Sequence, residues 1–179
     1  MNDHIIDTPR LQLIPLRSTA ELHALWTQTE IRRHLWDDEI IPETKTAGIL
    51  QQNEQLFAER RFGLWAVREK SKTDLAGFCG LWYFRDPPEL ELIVGLHGDR
   101  WHHGFGSEAA RAIIDYAFHR LGFPQVRASA DAANIRSHRM LERAGMRFEK
   151  RAVVAGIDTM FFRCDRGRRE SDHRTAGSR

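Results

Sequence analysis

The sequence predicts one α/β domain built on a mixed, mostly antiparallel sheet flanked by about four helices. Two observations predict it. Strand-like and helix-like stretches alternate irregularly, with hairpins before and after a strand–helix–strand–helix centre, which is the pattern of a mixed sheet and not of a purely parallel one. A chain of 179 residues with 41% hydrophobic and 29% charged residues is also of ordinary globular composition and long enough to bury one sizeable core.

Each element follows from local pattern. Residues 10–16 begin with apolar–polar alternation and contain Pro15, which suits an edge strand. Ser18 or Thr19 can cap a helix with Leu22, Leu25 and Trp26 at helical spacing. Thr44 or Thr46 can open a second helix with Ile49, Leu50, Leu56 and Phe57 on one face. Residues 62–69 and 75–84 read as a hairpin around the polar turn 70–74. Pro87-Pro88 interrupts the chain before a strand at 89–96. A helix is expected from Ser107 to about Leu121, stopped by Gly122 and Pro124. A short strand follows at 126–130, then a helix from Asn134 to Ala144 closed by Gly145. Residues 147–155 and 158–164 form a last hairpin around Gly156. The domain is expected to span 1–165, with 166–179 as a disordered basic tail.

Composition excludes several classes. The formal net charge is +2 with acids and bases mixed, which is not the balance of a protein built to bind nucleic acid. The Arg-rich tail carries Glu170 and Asp172 and no aromatic to stack bases, which argues against that role too. No apolar run approaches the ~20 residues that span a bilayer, and the first residues lack the pattern of a signal peptide. Cys79 and Cys164 sit in apolar settings outside any CxxC, so the expectation is a reduced cytoplasmic protein with two buried thiols. His97, His102 and His103 do not match structural-zinc spacing, and no metal is expected.

The chemistry concentrates in residues 100–109, Arg-Trp-His-His-Gly-Phe-Gly-Ser-Glu-Ala, which follow a strand and open a helix. Gly104 and Gly106 allow a tight turn and leave no side chain over the amides. The first amides of a helix lack internal partners and lie at the positive end of its dipole, a geometry that accepts a phosphate or pyrophosphate. Gly-x-Gly alone is also ordinary turn chemistry. The segment is neither a Walker loop nor a full dinucleotide fingerprint. Just beyond the next strand, Asn134 can cap a helix, and Ser137 lies one turn on.

Together these segments resemble the GNAT N-acetyltransferases, most of all the branch of ribosomal-protein N-terminal acetyltransferases. The family's coenzyme loop appears as Trp101-His102-His103-Gly104-Phe105-Gly106-Ser107-Glu108-Ala109, with His102 where that branch usually has Gly. Its next motif appears as Asn134, Ser137, Leu141, Glu142 and Gly145, with Met146 for Phe. Thr8-Pro9-Arg10-Leu11-Gln12-Leu13 is similar to the branch's opening, and the resemblance covers about residues 8–165.

The resemblance implies a sheet splayed between the family's fourth and fifth strands, here 89–96 and 125–130, and acetyl-CoA as acetyl donor. It places the pyrophosphate on the amides of His103, Gly104, Phe105, Gly106 and Ser107, and Asn134 and Ser137 beside the pantetheine or phosphates. Arg136 and Arg139 could meet the nucleotide's charge, with a solvated helix face as the simpler reading. The implied acceptor is a primary amine, either a small molecule or a protein N-terminus; a homodimer is left open. Acetylating an amine requires something to take a proton. The resemblance points to Glu91, while exposed strand glutamates at Glu89 and Glu91 remain the plain alternative. A backbone N–H near Ile93 or Val94 would meet the oxyanion. Many relatives carry a Tyr where this chain has Leu141, so Ser137 or water would have to protonate the thiolate, which needs little help. Glu108 reads as a structural carboxylate at a helix N-terminus. Trp36 could wall the acceptor side, in the loop from His34 to Glu39 with acidic Asp37 to Glu39, or could simply anchor that loop. A coenzyme A-binding module without catalysis is the rival reading.

Overall fold

The computed structural model describes residues 4–85 and 87–167. The sheet has eight strands in the order β1-β2-β3-β4-β5-β6-β8-β7. They are β1 (Ile6–Asp7), β2 (Leu11–Pro15), β3 (Leu64–Glu69), β4 (Gly77–Phe84), β5 (Glu89–Leu96), β6 (Gln125–Asp131), β7 (Arg147–Val154) and β8 (Ile157–Asp165). All neighbours are antiparallel except β5 and β6, which run parallel. The helices are α1 (Thr19–Trp26), α2 (Thr29–Leu35), α3 (Glu43–Arg60), α4 (Phe105–His119) and α5 (Ile135–Arg143), with a short 3₁₀ turn at Gly98–Arg100.

Local chemistry explains most of these bounds. Ser18 Oγ accepts the Glu21 amide at 3.2 Å and caps α1. Thr46, Leu50, Asn53 and Phe57 form the buried stripe of α3, at three- and four-residue spacing, while Ile49 and Leu56 of the expected face are only partly buried. Asn53 is fully buried and fully used. It donates to the carbonyls of Leu16 and Leu64 and accepts the Leu64 amide at 2.6 Å, tying α3 to the start of β3. Ala155 and Gly156 both have positive φ, the geometry of the two-residue turn that joins β7 to β8.

The structure adds β1 and α2 to the expected elements, and α4 starts at Phe105, two residues earlier than expected. The stretch 29–35 offers only Ile31 and Leu35 as apolar anchors, too few to mark a helix by periodicity. Both faces of the sheet are covered, so consecutive residues of β3 enter different cores. Trp65 and Val67 pack with α4, whereas Leu64 and Ala66 pack with α1, Ile31 and Leu50. Cys79 and Cys164 are buried and unpaired, and burial pushes the Cys79 thiol far up. Among the described residues no helix is long and apolar enough to cross a membrane. The expected disordered tail lies outside the described residues from 168 onward.

Candidate active site

The site forms where the sheet parts. β5 and β6 share a single registered pair, Glu91 with Arg127, and diverge beyond it. In a strand, N–H and C=O groups alternate sides. Past Glu91, half of β5's main-chain groups therefore face a gap instead of a neighbouring strand. A cavity of about 410 Å³ fills this gap, lined by β5 from Glu91 to Leu96 and by Ser129 to Asp131 of β6. Ile93 and Val94 lie on this wall.

From the stretch leading into α4 the cavity lining takes Trp101, and His103 to Ser107 lie beyond that lining. Gly104 caps the helix with φ of +79°, a left-handed conformation that costs a residue with a side chain. Gly106 is needed for a different reason: a Cβ there would lie 3.1 Å from Met140 Cγ, where α4 approaches α5. In this turn the amides of Arg100, Trp101 and Glu108 are bonded to carbonyls, whereas those from His103 to Ser107 have no main-chain partner among the described residues. The carbonyl side of the loop is held from behind. Arg10 Nη1 donates to His103 O at 2.8 Å, and the Arg10 guanidinium lies over Phe105.

Glu108 anchors that clamp. It accepts from Thr8 Oγ1 at 2.6 Å, from the Arg10 amide at 3.0 Å and from Arg10 Nε at 2.7 Å. Burial pushes the Glu108 carboxyl up, but these Thr8 and Arg10 bonds outweigh it and hold the group below the usual glutamate range. The opening Thr8-x-Arg10 motif thus braces the loop, and Glu108 has the structural place expected of it.

Asn134 caps α5 through its Oδ1, which accepts the Ser137 amide at 3.2 Å. Asn134, Ser137 and Leu141 all line the cavity. The Ser137 hydroxyl has no hydrogen-bond partner among the described residues. Arg136 lines the cavity as well, with its guanidinium 3.4 Å from the Trp101 ring centre, whose indole N–H donates to Leu96 O. Arg136 is exposed, as a solvated helix face implies, and also stacks on Trp101.

At the other end Glu91 is buried, only 3% exposed, so the reading of an exposed strand glutamate is overturned. Glu89 on the same strand does remain exposed. Both Glu91 oxygens are engaged. The Arg85 guanidinium bonds to Oε1, and Ser129 Oγ donates to Oε2 at 2.6 Å. Arg85 Nη2 also donates to Ser129 Oγ at 2.8 Å, closing a three-membered network. Arg85 reaches it from a left-handed turn at φ +67°, and no local pattern in the sequence announces it.

The structure places Trp36 away from the cavity lining. It packs edge-on against Trp26 at 5.2 Å, under Lys45, and so anchors the end of α2. Other residues of this segment, Glu30, Ile31, His34 and Asp37, face the cavity instead. No cluster of metal-ligating side chains occurs among the described residues.

A parallel strand pair parted beyond one registered pair, followed by a helix whose first amides lack main-chain partners, is the frame the resemblance implied. A model of the acetyltransferase (GNAT) domain family matches residues 10–147. The chain belongs to the GNAT acetyltransferase family. It is similar to the uncharacterized protein YkkB of Bacillus subtilis, 30% identical over 102 residues, covering 56% of this chain and 58% of that protein. It is also similar to the probable N-acetyltransferase YjcK of the same species, 31% identical over 122 residues, covering 66% of this chain and 65% of that one. The chain thus spans under two thirds of the length of each. Its fold matches that of RimL, a ribosomal L7/L12 α-N-protein acetyltransferase solved with coenzyme A, with a TM-score of 0.74 at 15% identity over 90% of this chain and 97% of that one.

Proposed function

We propose that the chain uses acetyl-CoA to acetylate a primary amine, by direct attack within a ternary complex. The acceptor class is a protein N-terminus, a peptide or a small amine. The observation that carries the reading is the row of amides from His103 to Ser107 without main-chain partners, two residues past Trp101, which lines the cavity between β5 and β6. The residues present fit a diphosphate: Gly104 adopts the left-handed turn that frees the first amides of α4, Gly106 lets α4 approach α5, and Arg10 holds the loop from its carbonyl side. Asn134, Ser137 and the Arg136–Trp101 pair line the path onward.

When bound, acetyl-CoA supplies a thioester carbonyl activated for attack. The protein's own groups do the rest. The main-chain N–H of Val94, on the unpaired side of β5, is offered to the negative charge that develops on the carbonyl oxygen, whereas that of Ile93 faces β4. Glu91 is the carboxylate of the site. Because both its oxygens are taken, a proton reaches it through the Ser129 hydroxyl, which donates to Oε2 and can accept from the amine in turn. Leu141 and not a phenol faces the cavity, so the Ser137 hydroxyl or water returns a proton to the thiolate. Trp36 contributes to acceptor binding by fixing the end of α2. The similarity to RimL, which acts on a ribosomal protein, favours a protein N-terminus within this class.

Release of free thiol from acetyl-CoA with a panel of primary amines tests the reading. Turnover with at least one amine is expected, and Glu91→Gln should lower it by roughly 10²-fold with coenzyme A affinity retained. Tight coenzyme binding without turnover across the panel would favour a non-catalytic coenzyme module instead.

A further inference from the structure

A second polar pair in the same cavity has no part in the scheme above. His34, in the last turn of α2, lies with Nδ1 2.9 Å from Asp131 Oδ2 at the end of β6. A carboxylate accepts, so Nδ1 carries the hydrogen toward Asp131, and in the neutral ring Nε2 holds the lone pair. Nε2 has no hydrogen-bond partner among the described residues. Both side chains line the cavity and are about one-third exposed, at 36% and 31%. Both are also well held. The Asp131 carbonyl lies 2.9 Å from His138 Nε2 and accepts the Asn134 amide. Helix α2 is pinned by buried Ile31 and by Trp36 against Trp26.

Acetylating an aliphatic amine requires two proton losses. The ammonium must give up one proton before its nitrogen has a lone pair, and the nitrogen gives up another as the C–N bond forms. The Ser129–Glu91 pair serves one of these. We propose that His34, oriented by Asp131, takes the first proton from the incoming ammonium through Nε2. This rests on the acetyl-transfer reading and assigns it a further catalytic residue.

The step balances. The N–H electron pair stays on the amine as its lone pair, and Nε2 gains the proton. Asp131 stays ionised beside the imidazolium, and the exposed side of the ring passes the proton to solvent. Overall one ammonium and one thioester give one amide, one thiol and one proton. The charged groups that share the cavity with His34 are Glu30 and Asp37 from its own segment, Arg85 and Glu91 across the gap, Asp131 on β6 and Arg136 on α5. The carboxylates outnumber the arginines, which favours a cationic acceptor.

The test compares two acceptors of one carbon skeleton: an aliphatic amine that the wild type acetylates, and its alkoxyamine or hydrazide counterpart, which is already neutral at pH 7. His34→Gln should lower kcat/KM about 10²-fold for the aliphatic amine and leave the neutral acceptor within about twofold. For the aliphatic amine, raising the pH should recover the variant's rate. Asp131→Asn should act in the same direction, more weakly. Coenzyme A affinity, measured by calorimetry, should be unchanged in both variants. Equal losses on both acceptors, or no loss on either, would overturn the role of His34 while leaving acetyl transfer intact. A wild-type chain that turns over no amine at all would overturn both.

Discussion

The two ends of the cleft are made of different material. The end at α4 is main chain: a left-handed glycine, a row of free amides and a helix cap, all within residues 103–107 and 134–137. The end at Glu91 is side chain: Arg85 from the β4–β5 turn, Glu91 from β5 and Ser129 from β6, with the His34–Asp131 pair four residues further along the parted strands. A main-chain site needs only a short run of permissive residues and is indifferent to the rest of the fold. A side-chain site needs long-range pairs, and each pair is free to vary with the acceptor. The contrast fits one donor end shared across a family and one acceptor end particular to each member.

Substitutions at the two ends should therefore fail in different ways. The largest effect on folding is expected at the side-chain end. Arg85→Met strands a buried carboxylate, which costs about 3–5 kcal/mol for a fully buried pair. Because the Arg85 side chain is 23% exposed, a loss of about 2–3 kcal/mol is expected in urea unfolding. A loss under about 0.5 kcal/mol would mean that water already serves Glu91. Next is Gly104→Val, which forces a β-branched residue to positive φ at a cost of about 1–2 kcal/mol. Where the loop gives up its shape to relieve that strain, its mark should be a roughly 5- to 30-fold weaker affinity for coenzyme A, since each 1.4 kcal/mol is about tenfold. Unchanged affinity would mean the loop amides are not the contact.

The smallest effect belongs to the brace behind the loop. The folded-state pKa of Glu108 is depressed, so its contribution is present above the unfolded value of about 4.3 and fades as pH falls through the folded one. Glu108→Gln should lower stability by about 1 kcal/mol at pH 7. The gap to wild type should close below about pH 4. A gap that widens on acidification would reverse the sign assigned to Glu108.

The same division explains what the sequence made legible. The loop at 103–107 and the cap at Asn134 were readable because glycine, a following helix and an Asn cap are local signals. The parting of the sheet could be expected only through resemblance, since no residue pattern in β5 or β6 says that two parallel strands will share a single pair. Glu91 was readable as a candidate but not as a buried group. Alternation in β5 put it with exposed Glu89, and its burial depends on Arg85 and Ser129, six and 38 residues away. Helix α2 carries too few apolar residues to be read, so His34 looks like a loop residue in the sequence, and its pairing with Asp131, 97 residues on, has no sequence signal. Trp36 was the visible residue there, yet its bulk serves the packing of α2 on Trp26.

The most direct test of the central claim is the ¹H–¹⁵N spectrum of the folded chain titrated with coenzyme A. If the free amides at the start of α4 grip a diphosphate, the signals of His103, Gly104, Phe105, Gly106 and Ser107 should move together at saturation, downfield as donors to an anion. Those past the far end of α4, at Leu121 and Gly122, which do not line the cavity, should stay still. Saturable binding that leaves the five loop amides unmoved, or no binding at all, would contradict the account.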